Sequence, residues 1–473
     1  MIKPYTPKKF WLFGAVVLSL LLTTNTGLYA REVKDIPPEA STLSLHDAVD
    51  MALKNDPWLS GNQYQQRAVE AMSIVAGELP DPKFSIGIAN LATDTFDFGQ
   101  EPMTQLKVGV SQMFPRGDTR ALKQQQLKHI GGQFPYQRQA RQLRVAETVA
   151  RLWFDAYEAN QSIALVERDR ALFEQLVDVA LASYSSAMGK TRQQDIIRAQ
   201  LELIRLDDRL TTLLQDYEAN QQRLSQWLSN NSSGQYSSAQ LPYANWTSPI
   251  TDRMPVIGLI HPTLYKQDNE ITLTVLAEYF HGHPDIQAIE QKIKASTTSI
   301  EVQTQKYKPE WGINTSYAYR DDDGLGRSRA DFFSIGLTLD IPLFTENRQD
   351  KQVESAIATT EAIKTEKVLR LRQLMASFTT AKVQLDRLDQ RQDLYQTQLL
   401  PQMSAQAEAS LTAYTNDDGD FAEVVRARIA QLNAKIDALG IDVERQKTII
   451  ALNALFATNS QQIVSSSHKG KTK

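Results

Sequence analysis

No cysteine occurs among the 473 residues, and that absence closes several lines at once. There can be no disulfide framework, thiolate metal ligand, cysteine nucleophile or lipid-accepting cysteine behind a signal. Histidine is scarce, with six in the chain. Past residue 22 no run approaches the roughly 18 apolar residues that a transmembrane helix needs, so any membrane crossing must be made by strands. No paired catalytic carboxylates, glycine-rich phosphate loop or Ser/His/Asp grouping stands out, so neither an enzyme nor a cofactor is expected. The net charge of −4 favours neither nucleic acid nor an anionic membrane surface.

What is present begins with an export signal over residues 1–30. Lys3, Lys8 and Lys9 give a charged start, and Phe10–Leu22 is apolar but too short to span a bilayer. Polar Thr23–Thr26 ends the run, which argues against an uncleaved anchor, and cleavage is expected after Ala30. Loss of those three lysines takes the net charge from −4 to −7.

The rest of the chain is written twice. At an offset of 227, Pro57 falls on Pro284, Ala68 on Ala295, Pro82 on Pro309, Gly109 on Gly336 and Pro115 on Pro342. After a one-residue slip, Asp195-Ile-Ile-Arg-Ala faces Glu423-Val-Val-Arg-Ala. Two copies of one supersecondary unit place function in shape. The expected organisation is a signal at 1–30, a first helix–strand–strand–helix repeat at 31–228, and a linker at 229–272. A second repeat at 273–457 and a flexible tail at 458–473 complete it.

Four segments alternate with period two: Pro82–Ala89, Leu106–Phe114, Trp311–Tyr319 and Phe333–Ile341. Each puts apolar and aromatic residues on one face and small or polar residues on the other. At about 8–10 residues they have the length of tilted membrane strands with lipid outside and water inside. A half-buried hairpin of a soluble protein alternates in the same way. Long helices flank them: Arg116–Ala187 and Leu343–Tyr414, beside shorter ones at His46–Glu78, Gln193–Leu228, Glu278–Tyr307 and Phe421–Ala457. A short and a medium helix together match one long helix, so the two are expected to stack end to end along it. Pro82, Pro115, Pro309 and Pro342 mark the barrel–helix boundaries, where proline is tolerated. Pro135 and Pro401 are expected to kink the long helices without ending them.

Four strands cannot close a barrel, and open edges in hydrocarbon leave backbone groups unsatisfied at several kcal/mol each. The edges must pair with other copies. Two copies give eight strands, a size that side chains plug, and three give twelve with an open bore. The fold class is therefore mainly α with a small membrane β part. A homotrimer forms a 12-stranded β-barrel, four strands per chain.

At this point the chain resembles the TolC family of outer-membrane efflux proteins. The duplicated unit carries the likeness, with Ser111-Gln-Met-Phe-Pro115 closing the second strand and Tyr184-x4-Gly189-x5-Asp195-Ile-Ile-x-Ala-Gln200 at the first hairpin. The resemblance implies a homotrimer in the outer membrane of a Gram-negative bacterium, its β-barrel continued into the periplasm by a long α-helical coiled-coil barrel. It also implies contact with outer-membrane lipid, a periplasmic adaptor and an inner-membrane pump of the RND type. Leu79-Pro-Asp-Pro82, the loop Asp94–Met103 and Gln112–Pro115 look like the branch that serves heavy-metal cation pumps. Drug export and type I protein secretion stay open beside metal export, as does a periplasmic coiled-coil adaptor that never enters the membrane.

Two hairpin tips are candidate sites. Met188, Gly189 and Lys190 in one, and Thr415, Asn416 and Gly419 in the other, are candidates for adaptor docking. Asp417, Asp418 and Asp420 are candidates for a periplasmic gate, since three-fold symmetry would bring three carboxylates per chain toward one axis. A solvated Asp/Gly turn pointing away from the axis is the alternative. His281-Gly-His283 reads as a polar helix start, and no metal ligand is assigned.

Overall fold

The structure is a computed structural model, and it describes residues 42–185, 192–229, 248–265, 273–416 and 419–465. Copy one runs α1 (Leu45–Asn55), α2 (Pro57–Gly77), β1 (Lys83–Ala89), β2 (Gln105–Phe114), α3 (Thr119–Gly131), α4 (Gln133–Ser185) and α5 (Gln193–Leu228). Copy two runs α6 (Leu273–His281), α7 (Pro284–Thr304), β3 (Glu310–Tyr319), β4 (Phe332–Asp340) and α8 (Gln349–Leu394). A π turn (Tyr395–Leu399), α9 (Leu400–Thr415), α10 (Phe421–Phe456) and the short α11 (Ser460–Val464) follow.

The duplication is visible in the element ends. α2 and α7 begin and end 227 residues apart, and α5 and α10 begin and end 228 apart. A π turn takes in one residue more than an α turn. The one at Tyr395–Leu399 lies between those pairs, in keeping with the slip.

Proline and small polar caps set the starts. Pro57 and Pro284 occupy the first turns of α2 and α7, where a missing N–H costs nothing. Asp56 caps α2 by accepting from the Trp58 amide at 3.1 Å, and Ser44 caps α1 through the Asp47 amide at 3.2 Å. α4 alone has 53 residues, about 80 Å of helix at 1.5 Å per residue.

Two proline expectations are corrected. The first long helix is interrupted at Gly132, so that Pro135 falls in the opening turn of α4, where it is sterically tolerated. The strand–helix prolines do not start helices: α3 begins at Thr119 and α8 at Gln349, leaving short loops after Pro115 and Pro342. The flexible-tail expectation is corrected for residues 458–465 alone, since 466–473 lie outside the described residues. Ser460–Val464 is helical, Asn459 caps it by accepting from the Gln462 amide, and Ile463 and Val464 are buried in the core.

α2 packs on α3 and α5 on α4, while α7 packs on α8 and α10 on α4, α8 and α9. The shorter helices thus line the long ones. α10 is flanked on several sides and buried along most of its length, whereas α5 buries one stripe. One core cluster gathers Trp153, Phe154, Phe280, Phe378 and Ile450 around the connector after α5. There Leu43 bridges Ile250, and the Trp153 Nε1–H donates to the Leu43 carbonyl at 3.0 Å. A second cluster, with Phe173, Ile196, Phe421 and Leu432, sits toward the hairpin tips.

The sheet is an antiparallel meander in the order β1-β2-β3-β4. β2 and β3 pair across the two copies, from Leu106 opposite Tyr319 to Phe114 opposite Trp311. Among the described residues β1 and β4 each have one neighbour, so both edges are open.

Candidate channel wall and its junctions

Register sorts the strand residues onto two faces. One carries Phe84, Ile86, Ile88, Val108, Val110, Phe114, Trp311, Ile313, Tyr317, Tyr319, Phe333, Ile335, Leu337 and Leu339. These are large apolar groups left open: Phe84 is 77% exposed, Ile86 75%, Phe333 72% and Ile335 73%. The opposite face holds Ser85, Gly87, Gly109, Ser111, Gly312, Asn314, Ser316, Ser334, Gly336 and Thr338, together with four charged residues and the larger Met113 and Phe332. A soluble sheet would bury its apolar face against a second layer, and here no element covers it among the described residues. The inner face is also tightly fitted. A Cβ at Gly109 would lie 2.8 Å from Ser85 Oγ, and one at Gly312 2.4 Å from Met113 Sδ.

The predicted boundary prolines flank this sheet. Pro82 and Pro309 stand immediately before β1 and β3, and Pro115 immediately after β2, while Pro342 lies two residues past β4. Sequence reasoning missed what holds the junction. Arg116 donates to the carbonyls of Lys306 at 3.0 Å and Lys308 at 3.1 Å, and it pairs with the Asp340 carboxylate. The Lys308 ammonium meets Asp118 at 3.3 Å. Phe114 stacks on Trp311, their ring centroids 4.1 Å apart. At the other end of the sheet Arg320 donates to Pro102 and Ala330 carbonyls and lies over the Phe332 ring, lacing the two loops together.

A second clamp lies where α7 begins. The His283 Nδ1 accepts from the Asp285 amide at 3.2 Å, so the ring is a cap and must be neutral at that nitrogen. Burial, which outweighs the attraction of Asp285, pushes His283 down to about 4. Burial alone would raise the Asp285 carboxyl, but Arg370 and then Arg144 hold it below its ordinary value. Arg144 of α4 and Arg370 of α8 therefore fasten copy one to copy two through one carboxylate. Asp56 with Arg141, 2.8 Å apart, makes the simpler version in copy one.

At the tips, Met188, Gly189, Lys190, Asp417 and Asp418 lie outside the described residues. Thr415 ends α9 and its hydroxyl donates to the Thr412 carbonyl at 3.0 Å. The Asn416 amide donates to that carbonyl as well. At Gly419 a Cβ would lie 2.7 Å from the Tyr414 amide nitrogen, so the turn admits no side chain. The Asp420 carboxylate caps α10 by accepting from the Ala422 amide at 3.1 Å. In α5 the N-cap is Arg192, and Asp195 in the first turn reaches back to accept from the Arg192 amide at 3.0 Å.

No family model matches the chain, and no curated protein does. Solved structures of outer-membrane channels share the fold. The outer-membrane channel OprN aligns at TM-score 0.67 and 15% identity over 88% of this chain and 90% of that one. CusC, described in terms of folding and transmembrane channel formation, aligns at 0.68 and 14% over 87% and 92%. The outer-membrane protein VceC of Vibrio cholerae aligns at 0.66 and 14% over 87% and 96%. The chain has the fold of these channels, with long helices and four strands per chain.

Proposed function

We propose that the protein is the outer-membrane exit duct of a tripartite efflux system. In this reading three chains close a 12-stranded barrel in the outer membrane, and their helices form a conduit across the periplasm. A periplasmic adaptor and an inner-membrane pump of the RND type complete the path, with no catalytic step in this chain. The observation that supports it most is the sheet: one face is apolar and uncovered apart from Gln112 and Thr315, the other is mostly small and polar, and both edges are open among the described residues. In hydrocarbon that arrangement needs edge pairing by further copies. The likeness of Leu79–Pro82 and Gln112–Pro115 to the heavy-metal branch makes metal cations one cargo class within the proposal, beside drugs and polypeptides.

The protein is expected to resist carbonate extraction from the outer membrane and, once solubilised in detergent, to contain three chains by light scattering. A soluble monomer would overturn the duct and leave a periplasmic scaffold. Growth of a deletion strain on graded metal salts and on hydrophobic drugs would then separate the cargo classes.

A further inference from the structure

The inner face of the sheet is unevenly charged. Its four charged residues are Lys83, which opens β1, Lys107 within β2, and Glu310 and Asp340 at the helix ends of β3 and β4. Asp340 is taken by Arg116. Lys83 stands level with Ser111, Asn314 and Gly336, and Lys107 level with Gly87 and Ala318. Both lysines are exposed, and neither has a carboxylate partner among the described residues. The residues level with them are Gly, Ser, Ala, Asn and Phe332, none of which carries a charge that could neutralise an ammonium. Glu310 is four residues along β3 from the Lys83 level, about 13 Å at the strand rise, which exceeds the Debye length of about 8 Å in physiological salt.

We infer that Lys83 and Lys107 make the barrel wall an anion-attracting surface, two ammonium groups per chain and six in a trimer. The solute class this wall favours is anionic, and a bare divalent cation meets its least favourable stretch there. The inference rests on the duct reading, since only a closed barrel turns this face toward a bore. Acidic residues of the connecting loops, among them Asp94, Asp97 and Asp321, lie beyond the strand ends, so the rim and the wall differ in sign.

The cysteine-free chain permits a local test. Ser316→Cys sits on the inner face opposite Gly109, one pair from Lys107 and one from the Lys83 level. In trimers reconstituted in vesicles, its rates of reaction with an anionic sulfonate and a cationic trimethylammonium methanethiosulfonate are compared, in the wild-type background and in Lys83→Gln/Lys107→Gln. The anion-to-cation rate ratio is expected to fall severalfold, mostly through Lys107 about 8 Å away at the strand spacing and rise, with a smaller part from Lys83 about 12 Å away, and Lys107→Glu should lower it further. Lys83→Arg/Lys107→Arg should keep the wild-type ratio, which a merely structural role for the lysines would not predict. Labelling at Ser316→Cys with a ratio indifferent to the lysines would overturn the inference and leave the duct standing. Should Ser316→Cys be unreactive while Ile335→Cys, on the apolar face, reacts, the wall itself is misplaced and the duct reading falls with it.

Discussion

Phe114, the last residue of β2, lies flat against Trp311 near the start of β3, their rings inclined by 16°. The contact joins the end of one copy's hairpin to the beginning of the other's, at the level where strands give way to helices. Such a pair contributes about 0.5–1.5 kcal/mol beyond the area it buries. Trp311→Ala is expected to lower the temperature at which trimers dissociate on mild detergent gels, and Trp311→Phe to restore most of it. An unchanged dissociation temperature in Trp311→Ala would mean that the stack does not help to seat the sheet.

Arg116 is the next element of the same junction. It holds two carbonyls and a carboxylate contributed by copy two. Hydrogen bonds from a charged donor are each worth about 1.5–3 kcal/mol, so Arg116→Gln should destabilise by at least that much. Asp340 is largely exposed, and Asp340→Asn should cost under about 1 kcal/mol. Chemical denaturation of the detergent-solubilised protein checks the order, and equal losses in the two variants would place the strength in the ion pair and not in the carbonyls.

His283 predicts a pH dependence with a definite sign. Its value falls from 6.5 to about 4 on folding, so between those values the unfolded chain binds the extra proton. Stability should therefore fall as pH drops from about 6.5 toward 4. Asp285, held low in the fold, contributes stability that is lost only below its ordinary value of 3.8. His283→Asn, which can still cap α7, should flatten the upper part of that slope, visible as a few degrees in apparent melting temperature. A wild-type melting temperature that is level from pH 7 to 4.5 would contradict the buried neutral ring.

The tip predictions turn on cap and contact. Asp420→Ala should cost about 1 kcal/mol through the lost cap of α10, and Asp420→Asn very little. Gate and cap are then separable: Asp417→Asn/Asp418→Asn/Asp420→Asn keeps the helix start while removing charge. In planar bilayers that triple variant is expected to lose cation selectivity and divalent block at the mouth. If both persist, these carboxylates do not line it.

Gly324 sits in the loop between β3 and β4, where a Cβ meets nothing within 4 Å, so an insertion there has room. A tag placed after Gly324 should be reached by antibody on intact cells. Detection only after the outer membrane is permeabilised would invert the orientation.

Much of this molecule is legible along the chain because the signals are local. Alternation in Phe333–Ile341, proline at Pro82 and Pro309, and the 227-residue echo from Pro57 to Pro284 each depend on near neighbours or on identity at a fixed spacing. They determine the strands, their two faces and the paired helices. Tertiary structure decided what distant residues do to one another. That β2 pairs with β3, joining the copies into one sheet, follows from long-range register. Arg116 reaching Asp340, Arg370 and Arg144 sharing Asp285, and the burial that keeps His283 neutral all join positions tens to hundreds of residues apart. Asp420 shows the division within one side chain. Its acidity was plain in the sequence, but only the approach of the Ala422 amide turned that carboxylate into a helix cap.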